Sequence, residues 1–105
     1  SLFLFPNEEW DKLAEKLASL PLGQSNSRAF ARLMLAGAME CEIDKQGRVM
    51  LPEYLRTYAE LKKTVVVAGL YTRLEIWDEQ SWESYKHKME EDAESVAEQL
   101  GELGI

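Results

Sequence analysis

One short turn carries the chemistry that this sequence offers most clearly. The turn is Asp44-Lys45-Gln46-Gly47, and Arg48 follows it directly. A guanidinium that projects from a rigid turn can form paired hydrogen bonds with guanine O6 and N7, and Lys45 at the tip can neutralise a phosphate. Asp44 is suited to order the turn by accepting backbone hydrogen bonds, or to steer Arg48. These residues are suited to contact double-stranded DNA, but the pattern alone favours an exposed Asp44–Arg48 ion pair without a function.

The flanking residues predict a hairpin that would position this turn. Residues 39–43 alternate apolar and polar side chains, as half-buried strands do, and residues 48–51 are predicted to resume as a strand after the turn. Gly47 is free to adopt the positive φ that a tight turn needs. Pro52 is suited to open a short helix, on which Arg56 is a further candidate for a phosphate contact.

The rest of the chain predicts helices packed around a small sheet, an α+β fold. Apolar residues recur at helical spacing in three further segments, and β-branched runs indicate two more strands. Asn7 is the predicted N-cap of the first helix. The second helix starts near Ser25–Ser27 and ends at Gly37, and the third is capped by Asp78 and runs towards Gly101. The predicted strands cover residues 64–68 and 74–77.

Charge is distributed unevenly along the 105 residues, which carry a formal net charge of −7. Residues 1–39 are neutral, residues 40–73 carry +1 and residues 74–105 carry −8. The middle segment is therefore the one in which bases outnumber acids, and it contains the turn. No apolar run approaches the ~20 residues of a membrane span, and no signal peptide is recognisable. A lone Cys41 fits a reducing cytoplasm, so we expect a cytoplasmic protein without a membrane partner.

An internal repeat relates the two ends of the chain. The segment that starts at Leu2 resembles the one that starts at Leu74, and Trp10 and Trp82 occupy the same place at a constant offset of 72 residues. Two similar strand–helix junctions can also arise by chance. The repeat predicts that residues 1–37 are the remnant of a first unit and that residues 38–105 form a second unit with an acidic C-terminal helix. Only the second copy has a leading hairpin, and the chain lacks an initial Met, so we expect that a similar segment has been cut from the N-terminus.

The residues from Glu42 to Pro52, followed by Leu55 and Arg56, resemble the strand–turn–strand–Pro signature of the AbrB-type swapped-hairpin superfamily. With the Asp-x-x-x-Arg spacing, the strand that ends at Trp77 and the Glu-rich last helix, the chain is similar over essentially its whole length to the MraZ family. The resemblance implies a regulator that represses a division and cell-wall gene cluster, is associated with the nucleoid, and binds G-rich direct repeats as a ring-shaped homo-oligomer. It also implies an earlier Asp-x-x-x-Arg motif, which would fall before Ser1.

Under this interpretation Arg48, Lys45 and Arg56 are the DNA-binding candidates, and Asp44, Gly47 and Pro52 shape the motif. The large aromatic side chains Trp10, Trp82 and Tyr85 would pack helices, either against another subunit or against strands of their own chain. The alternative function is an antitoxin-like protein-interaction module that does not itself bind DNA. Its acidic helix would then bind a basic partner.

The remaining reactive side chains do not form a catalytic or metal-binding set. His87 is the one histidine, and it lies between two lysines on a charged helix. Cys41 alternates with Met39 and Ile43 and is expected to be a small buried apolar residue. Neither a nucleophile–base pair nor a Gly-rich phosphate loop can be assembled. We therefore expect no enzyme activity, no metal and no cofactor.

Overall fold

The computed structural model describes residues 1–21 and 23–104, apart from the side chain at position 96. The described part has an α+β architecture, as the sequence predicts, with a small antiparallel sheet and helices around it. Its elements in chain order are β1 (Leu2–Leu4), α1 (Asn7–Ala18), α2 (Ser25–Gly37), α3 (Glu53–Tyr58), β2 (Val65–Gly69), β3 (Leu74–Asp78), α4 (Glu79–Glu91) and α5 (Ala93–Glu102).

The sheet has three strands in the order β1-β3-β2, and both neighbouring pairs are antiparallel. β1 and β3 are distant in sequence, and Phe3 lies opposite Glu75 at the centre of their pairing. β2 and β3 form a hairpin in which Val67 lies opposite Ile76. The turn between them places Tyr71 at φ 64°, a left-handed conformation that is unusual for a bulky side chain.

A thin core lies on one face of the sheet. Leu2, Ile76 and Ala59 are its buried members, and the partly buried side chains packed against them come from the segment around α3, namely Leu51, Leu55 and Leu61. The sheet face is apolar because Leu2 and Ile76 face each other across β1 and β3. No large side chain in the described part of the chain is completely buried. The core is small for a chain of this length.

The chain exposes far more surface than a compact monomer of its size. Its accessible surface is 8790 Å² for a mass of 12.0 kDa. A typical folded monomer of that mass exposes about 6,000 Å². The radius of gyration is 16.4 Å, compared with about 13 Å expected for a compact domain of this length. The isolated chain is therefore an open structure.

The helices occur where the sequence predicts them, with two corrections at their ends. Pro6, not Asn7, is the N-cap of α1, and Asn7 is its first helical residue. The long C-terminal helix is interrupted at Asp92, between α4 and α5. Two glutamates and this aspartate crowd the C-terminus of α4, where the helix dipole disfavours negative charge.

The predicted strands over residues 39–43 and 48–51 do not form as regular strands. Only one isolated bridge, between Ile43 and Val49, joins the two segments. Ile43 is 69% exposed and Met50 is 87% exposed, so the alternation does not bury one face within this chain. Cys41 is partly exposed, not buried as predicted. An isolated two-stranded hairpin is only marginally stable, which explains why the turn persists and the ladder does not.

Candidate nucleic-acid interface

The turn at residues 44–48 is closed by its own backbone. The Gly47 amide donates to the Asp44 carbonyl at 3.0 Å, and the Asp44 amide donates to the Arg48 carbonyl at 2.9 Å. Gly47 has φ 78°, and a Cβ at this position would meet no neighbour within 4 Å. Glycine is therefore favoured here by the backbone conformation and not by lack of space.

The Asp44 carboxylate organises the turn as the sequence suggested, and it also contacts the Arg48 side chain. Its Oδ1 accepts hydrogen bonds from the backbone amides of Arg48 at 2.8 Å and Gln46 at 2.9 Å. Its Oδ2 accepts from Arg48 Nε at 3.0 Å. The backbone hydrogen bond from Arg48 is the largest influence on the pKa of Asp44 and lowers it. Desolvation opposes this effect, and the side-chain bond from Arg48 and the backbone bond from Gln46 add to it, so the pKa is lowered overall.

The Arg48 guanidinium is held by one edge and presents the other to solvent. Its side chain is 73% exposed even though Nε is bonded to Asp44. A guanidinium has five N–H donors in a rigid fork, so a bond through Nε leaves the two Nη groups for a ligand. Two parallel donors of this kind match guanine O6 and N7 in the major groove. The aspartate restricts the rotation of the fork without covering it.

Lys45 and Arg56 lie in different settings. Lys45 is exposed at the tip of the turn, three residues before Arg48. Arg56 lies in the last turn of α3 and lines an open cleft of about 560 Å³ together with the acidic residues Glu53, Glu60 and Asp78. Carboxylates reduce the local attraction for phosphate, so Lys45 has the more favourable electrostatic setting of the two.

The segment that carries the turn is anchored at both ends by a contact that the sequence reasoning missed. The Tyr54 hydroxyl donates to the Gly37 carbonyl at 3.2 Å, which joins α3 to the end of α2. Pro52 is the N-cap of α3, and its carbonyl accepts from the amides of Leu55 and Arg56, each at 3.1 Å. Residues 38–52 therefore leave and re-enter the folded body at neighbouring points. No local sequence pattern signals this contact, because Tyr54 and Gly37 lie 17 residues apart.

The three aromatic residues predicted to pack helices make contacts within their own chain. The Trp82 and Tyr85 rings lie 5.5 and 5.0 Å from the Trp77 ring, measured between centroids. Trp10 lies 6.0 Å from Phe5 in the same way. These contacts attach α4 and α1 to the ends of β3 and β1. The three aromatic residues therefore pack against strands of their own chain. Tyr85 is 45% exposed and still offers surface for another subunit.

A buried ion pair on the other face of the sheet was also missed. Glu75 is 8% exposed, and its Oε2 accepts from Arg73 Nε at 3.1 Å and Nη2 at 2.9 Å. Its Oε1 accepts from Trp77 Nε1 at 3.1 Å. The Arg73 guanidinium also lies over the Phe3 ring, 5.0 Å from the centroid. Arg73 is therefore fully engaged in the sheet, and it is not a DNA-binding candidate.

His87 and the acidic side chains do not form a recognisable site in the described part of the chain. His87 Nε2 lies 3.1 Å from Glu91 Oε1, one turn later on α4. Within residues 1–21 and 23–104 no group of three or more His, Cys, Asp or Glu side chains is arranged to hold a metal ion. No helix in the same part of the chain is long and apolar enough to cross a bilayer.

Comparison with known proteins gives a consistent family. The family model for the MraZ protein, which is described as antitoxin-like, matches residues 34–102. The chain is similar to proteins named transcriptional regulator MraZ from Natranaerobius thermophilus (46% identical), Halothermothrix orenii (48%) and Acetivibrio thermocellus (49%). Each alignment spans 104 residues and covers 99% of this chain and 73% of the relative. The region matched by the family model includes the turn at residues 44–48.

Proposed function

The chain belongs to the MraZ family of transcriptional regulators, which are not enzymes, and we propose that it reads G-rich direct repeats in double-stranded DNA through the turn at residues 44–48. The observation that carries the proposal is the geometry of Arg48. Its Nε is held by Asp44 on an exposed turn, and its side chain remains 73% exposed. That arrangement suits guanine, because O6 and N7 accept two parallel hydrogen bonds from one guanidinium.

The residues around Arg48 divide into reading, positioning and phosphate-binding roles. Arg48 reads a guanine edge, and Asp44 is a positioning residue that restricts the guanidinium. Lys45 binds a phosphate and seats the turn on the backbone of the duplex, which fixes register without adding sequence information. Arg56 is the weaker phosphate candidate, because it shares its cleft with three acidic residues.

One turn contacts too few bases for specific binding, so the proposal includes a homo-oligomer, ring-shaped as the family resemblance implies. Several linked turns raise the effective concentration at repeated sites. The open shape of the chain supports this proposal, since about 2,800 Å² of surface beyond the compact-monomer expectation is available for contacts between subunits. Such an excess exceeds the ~800 Å² per partner of a standard interface.

The exposed hairpin residues support the swapped-hairpin detail of the fold. Met39, Ile43 and Met50 are more than half exposed, although the alternation of residues 39–43 is typical of a half-buried strand. In the proposed assembly, segments 39–43 and 48–51 pair with the corresponding segments of an AbrB-like partner unit and bury these side chains. The hairpin would then become a regular ladder.

The pairing of β1 with β3 supports the division into a first unit (residues 1–37) and a second unit (residues 38–105). Phe3 lies opposite Glu75, which is its counterpart at the offset of 72 residues, and the register is symmetric about this pair. A local two-fold axis between two related units produces this symmetry. The Phe5–Trp10 contact in the first unit corresponds to the Trp77–Trp82 contact in the second.

The family resemblance extends the proposal to repression of a division and cell-wall gene cluster by a cytoplasmic, nucleoid-associated protein. The direct test is fluorescence anisotropy of a duplex with G-rich direct repeats, titrated at two salt concentrations with this chain and with Arg48→Ala. A scrambled duplex of equal composition is the control. We expect a preference for the repeats, weaker binding at the higher salt concentration, and loss of the preference in Arg48→Ala. Equal binding of both duplexes by both proteins would contradict the proposal.

A second candidate function is an antitoxin-like module whose acidic C-terminal part binds a basic protein. Two observations favour it, namely the charge of −8 on residues 74–105 and the antitoxin-like description of the family. The two candidates differ in their dependence on the turn. Arg48→Ala abolishes sequence-specific DNA binding and leaves a partner contact through α4 and α5 unchanged.

A further inference from the structure

Gln46 lies at a corner of the turn, and its backbone is held by the same carboxylate that holds Arg48. The Gly47 amide donates to the Asp44 carbonyl at 3.0 Å, which closes a four-residue turn. Lys45 and Gln46 are the two corner residues of this turn. Asp44 Oδ1 accepts from the Gln46 amide at 2.9 Å and from the Arg48 amide at 2.8 Å. One oxygen atom therefore restrains residues 46 and 48 relative to each other.

The Gln46 side chain takes no part in closing the turn. Its residue contacts Asp44 through the backbone amide, and it is exposed. Within the described part of the chain its carboxamide has no hydrogen-bond partner. A carboxamide carries two N–H donors and a carbonyl acceptor. Both kinds of group are therefore available to a ligand, and they are carried by a backbone position that is already ordered.

The two corner side chains suit different parts of a DNA duplex. The ammonium group of Lys45 is attracted to phosphate, whereas an uncharged carboxamide gains little from that charge. The carboxamide of Gln46 instead matches a base edge that carries a donor beside an acceptor. In the major groove adenine has this pattern, with its N6 amino group and N7, and glutamine is able to bind both.

The distance between residues 46 and 48 limits where such an adenine lies. Two residues of extended chain span at most about 7 Å. Successive bases are about 3.4 Å apart along one strand of the duplex. Side chains that enter the same groove from these two positions therefore reach base pairs that are about two steps apart or closer.

We infer that Gln46 is a second base-reading residue, which binds an adenine within about two base pairs of the guanine read by Arg48. The inference rests on the proposed function and makes its DNA target more specific, because each repeat then contains an A·T pair close to that guanine. Asp44 positions both reading residues, since it holds the backbone amides of both and Nε of Arg48.

Gln46→Ala is a selective test, because it removes the carboxamide and keeps the backbone bond to Asp44. The probes are duplexes with G-rich direct repeats, in which 7-deazaguanine first identifies the guanine that Arg48 contacts. Each of the two base pairs on either side of it is then varied through all four possibilities. By fluorescence anisotropy, we expect the parent chain to prefer adenine at one position by roughly 5- to 150-fold. Gln46→Ala loses this preference and keeps the preference for guanine.

Lys45→Ala is the matched control at the other corner of the turn. We expect it to weaken binding to all the duplexes about equally and to reduce the salt dependence, because it removes a phosphate contact. Its preference for adenine remains that of the parent. Gln46→Ala shows the opposite behaviour, with an unchanged salt dependence and no preference for adenine.

Gln46→Glu tests the hydrogen-bonding pattern in a side chain of nearly the same shape. A carboxylate only accepts hydrogen bonds, so it suits the N4 amino group of cytosine and not adenine N7. We expect the preference at the identified position to change from adenine to cytosine. Replacing that adenine by 7-deazaadenine weakens the parent and leaves Gln46→Ala unchanged. A side chain that only supported the turn would produce neither result.

The outcomes separate this inference from the proposed function. A preference for adenine that persists in Gln46→Ala would overturn the inference alone, as would repeat-specific binding by the parent without any such preference. Equal loss of the guanine and adenine preferences in Gln46→Ala would also overturn it, because the side chain would then support the turn and not read a base. Equal binding of repeat and scrambled duplexes by the parent would overturn the proposed function, and the inference with it.

Discussion

Replacing the guanines of the repeat by 7-deazaguanine tests whether Arg48 contacts a base edge. The change removes the N7 acceptor and keeps O6 and base pairing. In the structure Arg48 Nε lies 3.0 Å from Asp44 Oδ2, so the two Nη groups remain for O6 and N7. A good bidentate contact of this kind contributes about 1–3 kcal/mol of discrimination, which corresponds to roughly 5- to 150-fold in affinity. Loss of N7 removes one of its two bonds, and therefore a measurable part of that factor.

A double-mutant cycle assigns the effect to Arg48. We expect 7-deazaguanine to weaken the parent chain and to leave the already weak Arg48→Ala unchanged, as measured by fluorescence anisotropy. Arg48→Lys keeps the charge and loses the fork, so its binding stays dependent on salt and loses the preference for the repeat. Asp44→Asn removes the anionic acceptor for Nε, and it lowers the preference for the repeat without changing the salt slope. Equal sensitivity of the parent and Arg48→Ala to 7-deazaguanine would refute the assignment.

Three further predictions concern the turn and the core. Gly47→Ala forces an L side chain to φ 78° and raises the energy of the turn by about 1–2 kcal/mol, so the affinity for the repeat duplex falls. The control Gly37→Ala, at the end of α2, leaves that affinity unchanged in a parallel titration. The pKa of Asp44 is lowered from the 3.8 of a free side chain. The Asp44 carboxylate therefore orders the turn fully at neutral pH, and this contribution is lost as the pH falls through the lowered pKa. We expect a titration midpoint below 3.8 by carboxyl NMR, and a midpoint at or above 3.8 would contradict the assignment. Asp78 is 5% exposed, and its carboxylate accepts hydrogen bonds from the Lys62 and Gln80 amides. Asp78→Ala removes this acceptor, lowers the free energy of unfolding by about 0.5–2 kcal/mol and therefore lowers Tm. An unchanged Tm would show that this cap contributes nothing.

The local structure around the turn was predictable from sequence because its determinants are local. An aspartate, a glycine and an arginine within five residues specify a closed turn with a side chain bonded across it. Asp78 likewise signalled the start of α4, and it accepts a hydrogen bond from Gln80. Short-range hydrogen bonding and the conformational freedom of glycine are sufficient for both predictions.

The two contacts that sequence reasoning missed differ in range. The Tyr54–Gly37 hydrogen bond joins residues 17 apart, so it becomes visible only when the fold brings α2 and α3 together. Arg73, Glu75 and Trp77 are spaced two residues apart along the chain, and what the sequence does not show is that Glu75 is buried. The strand prediction over residues 39–43 was wrong because it relied on the alternation of apolar and polar residues alone. Alternation reports that a face is suited to burial, and it does not report which surface buries it. Nothing in the described part of this chain covers Ile43.

NMR titration of the ¹⁵N-labelled chain shows whether the turn at residues 44–48 binds the G-rich repeat. We expect the repeat duplex to shift the backbone amides of residues 44–48 and the guanidinium resonances of Arg48, and the scrambled duplex to shift them much less. The amides of α4 and α5 should remain in place. Shifts confined to the two C-terminal helices, or identical shifts with both duplexes, would contradict this expectation.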